Sequence, residues 1–171
     1  MINRKALTEL ETLFKLNIKA LAASLDAGIQ NQLNEYKTLQ TAGLKGDLSY
    51  LYISFLLSGV LCQLPWLRID LLDENDHLDL TECYVEWNVP AIAGHLYQSV
   101  EKMAKENDMK DYELEQAWLD AADEYFRAFE RYLPAIIDEG RAVKKLGCKC
   151  YFGSLMGNTV MVGNGDQDEI F

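Results

Sequence analysis

The chain has 171 residues, and 49% of them are apolar, which is enough to bury the core of one domain over residues 1–171. Its 27 acidic and 16 basic side chains give a formal net charge of -11. Such a charge disfavours nucleic acid and anionic membrane surfaces as direct partners, so any charged partner is expected to be basic.

The first predicted element is a long amphipathic helix. Apolar side chains from Leu7 to Tyr36 recur with a mean spacing of about 3.6 residues, which is the period of an α-helix. A helix from Arg4 to Thr41 would be about 57 Å long, whereas a compact domain of this size is roughly 40 Å across. We therefore expect either a gentle bend near Gly28 or a homodimer formed through part of this helix.

The next segment, from Leu48 to Leu67, contains no charged residue. Its length approaches the roughly 20 residues of a membrane span, but Pro65 limits a helix there to about 16 residues, and serines interrupt its apolar surface. The segment is therefore predicted to form a buried second helix that is capped by Asp47, and no membrane span is predicted.

After this segment the apolar residues recur at every second position, which is the pattern of a β-strand. Leu67, Ile69 and Leu71 alternate with polar residues, and an acidic turn follows them. This pattern predicts a β-hairpin at about residues 66–82. Residues 83–87 fit a strand or a helical face equally well, so their conformation is left open.

Two more helices are predicted downstream. Pro90 suits the first turn of a helix that runs to about Glu106, and Asp111 is placed to cap a fourth helix. The fourth helix is expected to kink at Pro134 and to continue towards Leu146. Its aromatic residues are expected to form core packing, with a ligand pocket as the alternative, and they are Trp118, Tyr125, Phe126, Phe129 and Tyr132.

A second hairpin is predicted at about residues 148–162, around Gly157 and Asn158, and an acidic tail at residues 163–171. The predicted fold class is therefore mainly α (α+β). It consists of a bundle of about four helices, the first very long, with one or two β-hairpins attached. Whether the two hairpins join in one sheet is left open.

The cysteines and the first residues of the chain indicate the cellular compartment. Cys62, Cys83, Cys148 and Cys150 lack the dense spacing of a disulfide scaffold, so reduced thiols are predicted. Polar residues soon interrupt the apolar positions at the start of the chain, whereas a signal peptide has a continuous apolar region. A cytoplasmic protein is therefore expected.

The densest cluster of functional groups is acidic, with seven carboxylates within 17 residues and no Lys or Arg among them. It comprises Asp70, Asp73, Glu74, Asp76, Asp79, Glu82 and Glu86. A calcium loop is not predicted, because Leu78 stands where the required glycine would be. A solvated hairpin is the commonest explanation of such a cluster, and a docking loop for a basic partner is the functional one.

No catalytic motif, metal site or cofactor site is predicted. The serines lack the glycine spacing of a nucleophile elbow, and Cys148 and Cys150 lack the second pair that a zinc site requires. The first hypothesis is therefore a non-enzymatic, immunity-like or adaptor-like protein that binds or inhibits a basic partner. The alternative is a small-molecule-binding or hydrolytic enzyme with its site between the helices, where His95, Glu82 and Glu86 are the first residues to test.

Overall fold

The computed structural model describes residues 4–64, 66–155 and 157–164. Within these ranges the chain forms five α-helices, five β-strands and one 3-10 turn at Asp76–Leu78. The helices are α1 (Arg4–Thr41), α2 (Leu57–Leu61), α3 (Pro90–Glu106), α4 (Asp111–Glu139) and α5 (Ala142–Leu146). The strands are β1 (Tyr50–Phe55), β2 (Trp66–Leu72), β3 (Tyr84–Asn88), β4 (Lys149–Ser154) and β5 (Thr159–Asn164).

The five strands form one mixed sheet in the order β3-β2-β1-β4-β5. The central strand β1 is antiparallel to β2 and parallel to β4, with Tyr50 opposite Leu72 on one side and Lys149 on the other. The outer pairs, β2 with β3 and β4 with β5, are antiparallel. A parallel pair needs a long crossover, and here the helices α3, α4 and α5 lie between β1 and β4 in the chain.

The core lies between one face of this sheet and the helices. Helix α1 packs against β2 and β3, and helix α4 packs against β4 and β5. The ring of Phe129 on α4 lies 6.1 Å, centroid to centroid, from both Trp87 on β3 and Phe152 on β4. Because side chains alternate along a strand, Ile53 and Ile69 also point to the helices, and both are fully buried.

The prediction of a helical bundle with attached hairpins is wrong, because the chain is an α+β fold built on a five-stranded mixed sheet. The error arises in the uncharged segment that was expected to form a buried helix. Within it, Tyr50–Phe55 form the central strand β1, Trp66 begins β2, and Leu57–Leu61 are the helical part of its described residues. A central strand that is buried on both faces has the same continuous apolar sequence as a buried helix, so periodicity does not separate them.

The hairpin predicted at 66–82 also differs in its second arm. Strand β2 occupies the first arm, but its partner is β3, so the residues from 73 to 83 form a loop that contains the 3-10 turn. The strands β4 and β5 pair in the region of the second predicted hairpin, and both pairs belong to one sheet. Most of the predicted acidic tail, residues 165–171, lies outside the described residues.

The end of α4 is set by a contact that is distant in sequence. The helix passes through Pro134, where a kink was expected, and ends at Glu139. Beyond it, Asp26 of α1 accepts hydrogen bonds from the backbone N–H of Arg141 at 2.8 Å and of Ala142 at 3.0 Å. These bonds satisfy free N–H groups at the start of α5, so α4 and α5 are separate helices.

The apolar stripe of α1 is buried within the chain from Leu10 to Tyr36, against α3, α4, α5 and the sheet. A homodimer is therefore not needed to cover that stripe. No helix in the described part of the chain is both long and apolar enough to cross a membrane.

Candidate functional site

The sheet face opposite the helices carries polar and aromatic side chains. Tyr52 and Ser54 of β1 point to this face, and the strand register places Asp70 and Arg68 of β2 beside them. Tyr151 of β4 also shares the face, and its ring stacks on Tyr52 with centroids 5.1 Å apart. These side chains are largely covered, since Tyr52, Ser54 and Asp70 are only 6%, 2% and 7% exposed.

The segment 73–83, which we call the acidic loop, folds back over that face. The hydroxyl of Tyr52 donates a hydrogen bond to Oδ2 of Asp76 at 3.3 Å, and the ring of His77 lies 4.6 Å from the Tyr52 ring. Together the loop and the sheet enclose a cavity of about 280 Å³, which we call the sheet cleft. Its polar walls are Tyr52, Ser54, Arg68, Asp70, His77, Asp79 and Glu82, and its apolar walls are Leu72, Leu80 and Leu155.

A buried ion pair fastens the acidic loop to the body of the protein. The ammonium of Lys45 contacts the carboxylate of Asp79, and their side chains are only 0% and 3% exposed. Lys45 also donates to the backbone carbonyl of Leu71 at 3.1 Å and lies 5.1 Å from the ring of Tyr36. Charges this deeply buried are tolerated only when they are paired and hydrogen-bonded, so this contact fixes the position of the loop.

Asp73 holds the start of the acidic loop. Its Oδ2 accepts a hydrogen bond from the N–H of Gly46 at 3.0 Å, and its Oδ1 accepts one from the N–H of Asn75 at 2.9 Å. Burial alone would raise the pKa of this carboxyl, but the hydrogen bonds from Gly46 and Asn75 hold the pKa below its ordinary value. Asp73 is therefore an anion whose two carboxylate oxygens both accept hydrogen bonds within the protein.

The guanidinium of Arg68 forms the floor of the sheet cleft. Its Nε lies 2.9 Å from both oxygens of Asp70, and its Nη2 lies 2.7 Å from Oδ1. The ring of Tyr84 stacks on the guanidinium at 3.8 Å, and Glu82 approaches within 3.7 Å. The hydrogen bond with Asp70 raises the pKa of Arg68, so the guanidinium stays charged and its charge is paired with Asp70.

His95 lies in a second, separate arrangement between the helices. Its Nδ1 contacts the hydroxyl of Tyr125 on α4, and its Nε2 lies 3.5 Å from Oε2 of Glu9 on α1. Burial raises the pKa of Tyr125 well above its ordinary value, so this phenol stays protonated. The result is a hydrogen-bonded chain of Glu9, His95 and Tyr125 that runs from an open groove into the core.

The aromatic residues on α4 are largely core residues. Tyr125, Phe126 and Phe129 line an apolar cavity of about 40 Å³ between β1, α2, α3 and α4. A cavity of this volume has room for a few water molecules at most. The other two aromatic residues, Trp118 and Tyr132, pack against Tyr97 and Phe14.

Comparisons with protein-family models, curated proteins and solved structures give no match for this chain. The case for either site therefore depends on its own geometry and chemistry.

The structure divides the seven predicted carboxylates by burial. Asp70, Asp73 and Asp79 are largely buried and engaged by protein groups, and Asp76 is partly buried beneath Tyr52. The residues that remain exposed are Glu74, Glu82 and Glu86. Among the described residues, no three His, Cys, Asp or Glu side chains are arranged to hold a metal ion.

Three residues proposed for an enzymatic site are not brought together. His95 lies in the helical groove, whereas Glu82 lines the sheet cleft and Glu86 lies opposite Arg68 on the open face. Lys45 and Glu9 were not among the predicted site residues. Neither had a local signal, because their partners are 34 and 86 residues away.

The acidic loop also carries two exposed leucines. Leu78 is 81% exposed and Leu80 is 95% exposed, and both lie in the acidic loop. Both fall within the hairpin predicted at residues 66–82, but Leu78 ends the 3-10 turn and Leu80 lies in the loop that follows it. Single exposed apolar side chains are common on protein surfaces, whereas larger exposed apolar patches mark interaction sites.

Proposed function

We propose that this chain is a protein-interaction module that binds a basic partner protein through the acidic loop and the adjoining open face of the sheet. Binding would cover, and thereby inhibit, part of the partner's surface, as an immunity or adaptor protein does. A cytoplasmic location is part of the proposal, and it is supported by four unpaired cysteines, three of them buried.

The observation that carries the proposal is the position of Leu78 and Leu80 among exposed carboxylates. Protein interfaces commonly combine a central apolar contact with a polar or charged rim. Here Glu74 and Glu82 are exposed in the same loop as the two leucines. The net charge of -11 would also attract a basic partner and accelerate its association.

The attachment of the acidic loop also supports this function. The ion pair of Lys45 with Asp79 and the hydrogen bonds of Asp73 hold the loop in one position before any partner arrives. A binding surface that is already ordered loses less conformational entropy on association. The buried carboxylates therefore serve the fold, and the exposed ones are available for a partner.

The test is capture of proteins from a lysate of the source cells by the immobilised full chain. One variant carries Glu74→Gln, Glu82→Gln and Glu86→Gln, which removes the exposed charges without placing a new cation beside Arg68. The matched control carries Glu101→Gln, Glu115→Gln and Glu130→Gln, which changes the same net charge on exposed positions of α3 and α4. A third variant, Leu80→Ser, removes an exposed apolar contact.

We expect basic proteins to be captured by the native chain and by the α3/α4 control, and to be lost from the triple variant at Glu74, Glu82 and Glu86 and from Leu80→Ser. All variants should unfold at the native denaturant midpoint, because the substituted side chains are exposed. Equal capture by the native chain and both loop variants would contradict the proposal.

An enzyme with a site between the helices is the second candidate, favoured by the chain of Glu9, His95 and Tyr125. It ranks second because both nitrogens of His95 already face a partner, whereas a general base needs a free nitrogen within reach of its substrate. The test is a small-molecule thermal-shift screen of the native chain and of His95→Gln. This candidate requires compounds that stabilise only the native chain.

A further inference from the structure

We infer that the apolar cavity between β1, α2, α3 and α4 is a binding site for the linear aliphatic chain of a small molecule. The chain would enter the cavity as α2 moves outward. This inference goes beyond the proposed function and is independent of it, because no residue of the acidic loop lines the cavity.

The first observation is the chemistry of the cavity wall. None of the described residues that line the cavity carries a charge. Its two phenol groups are already bonded within the protein, since the hydroxyl of Tyr97 donates to the carbonyl of Leu64 at 2.6 Å and that of Tyr125 contacts His95. An apolar cavity of this kind excludes water and accepts apolar groups, so hydrocarbon is the ligand chemistry that it favours.

The second observation is the position of the cavity immediately beneath the surface, under residues 57–64, which we call the cover. Leu64 lines the cavity and is still 39% exposed. On the outside of the cover, Leu57 and Leu61 are 52% and 39% exposed. The cover contains no charged residue. An aliphatic chain therefore meets apolar side chains outside the cavity as well as inside it.

The third observation is the light attachment of the cover. Its helix α2 has five residues, of which only Val60 is buried, and its N-cap is Leu56, whose side chain cannot accept a hydrogen bond. The N–H of Leu64 bonds within the cover, to the carbonyl of Gly59 at 2.8 Å. Gln63 has a φ of 55°, a left-handed conformation that glycine adopts more readily. The cover is therefore an element that separates from the body at low cost in free energy.

The size of the cavity favours a chain over a ring. Its volume is about 40 Å³, whereas an apolar cavity that binds benzene has roughly 150 Å³. The cover must therefore move for any ligand larger than a few atoms. A linear chain has the smallest cross-section of any hydrocarbon, so it needs the smallest movement. Its head group would stay in water, where the net charge of -11 disfavours a carboxylate and leaves a neutral head group as the better fit.

The experiment titrates the ¹⁵N-labelled full chain with 1-butanol, 1-hexanol and 1-octanol, and NMR follows the backbone amides of Gly59, Val60 and Phe126. We expect the affinity to rise about fourfold for each added methylene group, because each one buries more apolar surface. Two control probes share the carbon number of 1-octanol. Cyclooctanol is wider, and 1,8-octanediol places a second hydroxyl in the cavity, so each should bind roughly fivefold more weakly than 1-octanol.

Two variants test the cavity and the cover separately. Val60→Ile adds one methylene group to the cavity wall and should weaken the binding of 1-octanol roughly fivefold, with the native amide spectrum otherwise retained. The matched control Val160→Ile makes the same change at an exposed position of β5 and should leave the affinity unchanged. Tyr97→Phe keeps the ring but removes the hydrogen bond to Leu64, so 1-octanol should associate about threefold faster, as measured from NMR line shapes.

Several results would overturn this site. These are absence of shifts at the three amides, an affinity that does not rise with chain length, equal binding of cyclooctanol, or an unchanged affinity in Val60→Ile. Binding of xenon without binding of 1-octanol would identify the cavity as a packing void and would also overturn the site. Unchanged association in Tyr97→Phe would overturn the movement of the cover.

Discussion

Replacement of Lys45 by methionine should destabilise the protein strongly and release the acidic loop. The ammonium of Lys45 is fully buried, and its contacts are the carboxylate of Asp79 and the carbonyl of Leu71. Methionine keeps most of the apolar stem but removes the charge. The carboxylate of Asp79 would then stay buried with only the N–H groups of Asp73 and Thr81 as donors.

The loss of one partner from a buried ion pair typically costs about 3–5 kcal/mol, because the remaining charge is desolvated without compensation. We therefore expect Lys45→Met to lower the free energy of unfolding by that amount. Asp79→Asn in the same background removes the uncompensated charge. The double variant should consequently be less destabilised than the sum of the single variants, with a coupling energy of about 2 kcal/mol.

The assay is urea denaturation of the native chain, both single variants and the double variant, combined with hydrogen exchange of residues 73–83. Exchange in that segment should accelerate in Lys45→Met, since the loop loses its main attachment. Lys37→Met is the matched control, because Lys37 is exposed on α1 and its loss should change stability by less than about 0.5 kcal/mol. A cost below about 1 kcal/mol for Lys45→Met with unchanged exchange would refute the reasoning.

Three further predictions test the fold around the site. Gly94→Ala should raise the free energy of unfolding by about 1 kcal/mol, because an added Cβ meets nothing within 4 Å in α3, and urea denaturation measures this gain. Asp73 has a lowered pKa, so its stabilising effect is present above the ordinary carboxyl pKa of about 3.9 and is lost as the pH falls through the lower folded value. Stability of Asp73→Asn should therefore vary less with pH in acid, as measured by thermal unfolding. A thiol reagent should modify only Cys62 in the native state, because the other cysteines are buried and burial raises the pKa of Cys148 to about 11. Mass spectrometry that finds a second native label would contradict this.

The sequence identified the residue types of the candidate site but not their roles. The cluster of carboxylates was visible because it is local, lying within 17 residues of the chain. The pairing of Asp79 with Lys45 had no local signal, because the strands β1 and β2 separate the two residues in the chain. Nor did the sequence indicate that Leu78 and Leu80 would be exposed, since alternation along a strand predicts one buried face.

The chain's helices were determined largely by its own local pattern. The 3.6-residue period predicted α1, and Pro90 and Asp111 marked the starts of α3 and α4, because these signals act within a few turns of one helix. The position of Gly147 as a helix stop is equally local, since its φ of 64° is a conformation that glycine adopts without strain.

Only the tertiary structure determined the conformation of the uncharged segment after α1. The same apolar run suits a buried helix or a central strand, and its conformation as β1 depends on pairing with β2 and with β4, which is about a hundred residues away in the chain. That pairing places Ser54 beside Arg68 on the open face of the sheet. The sheet cleft exists because strand pairing, which is non-local, determined which side chains became neighbours.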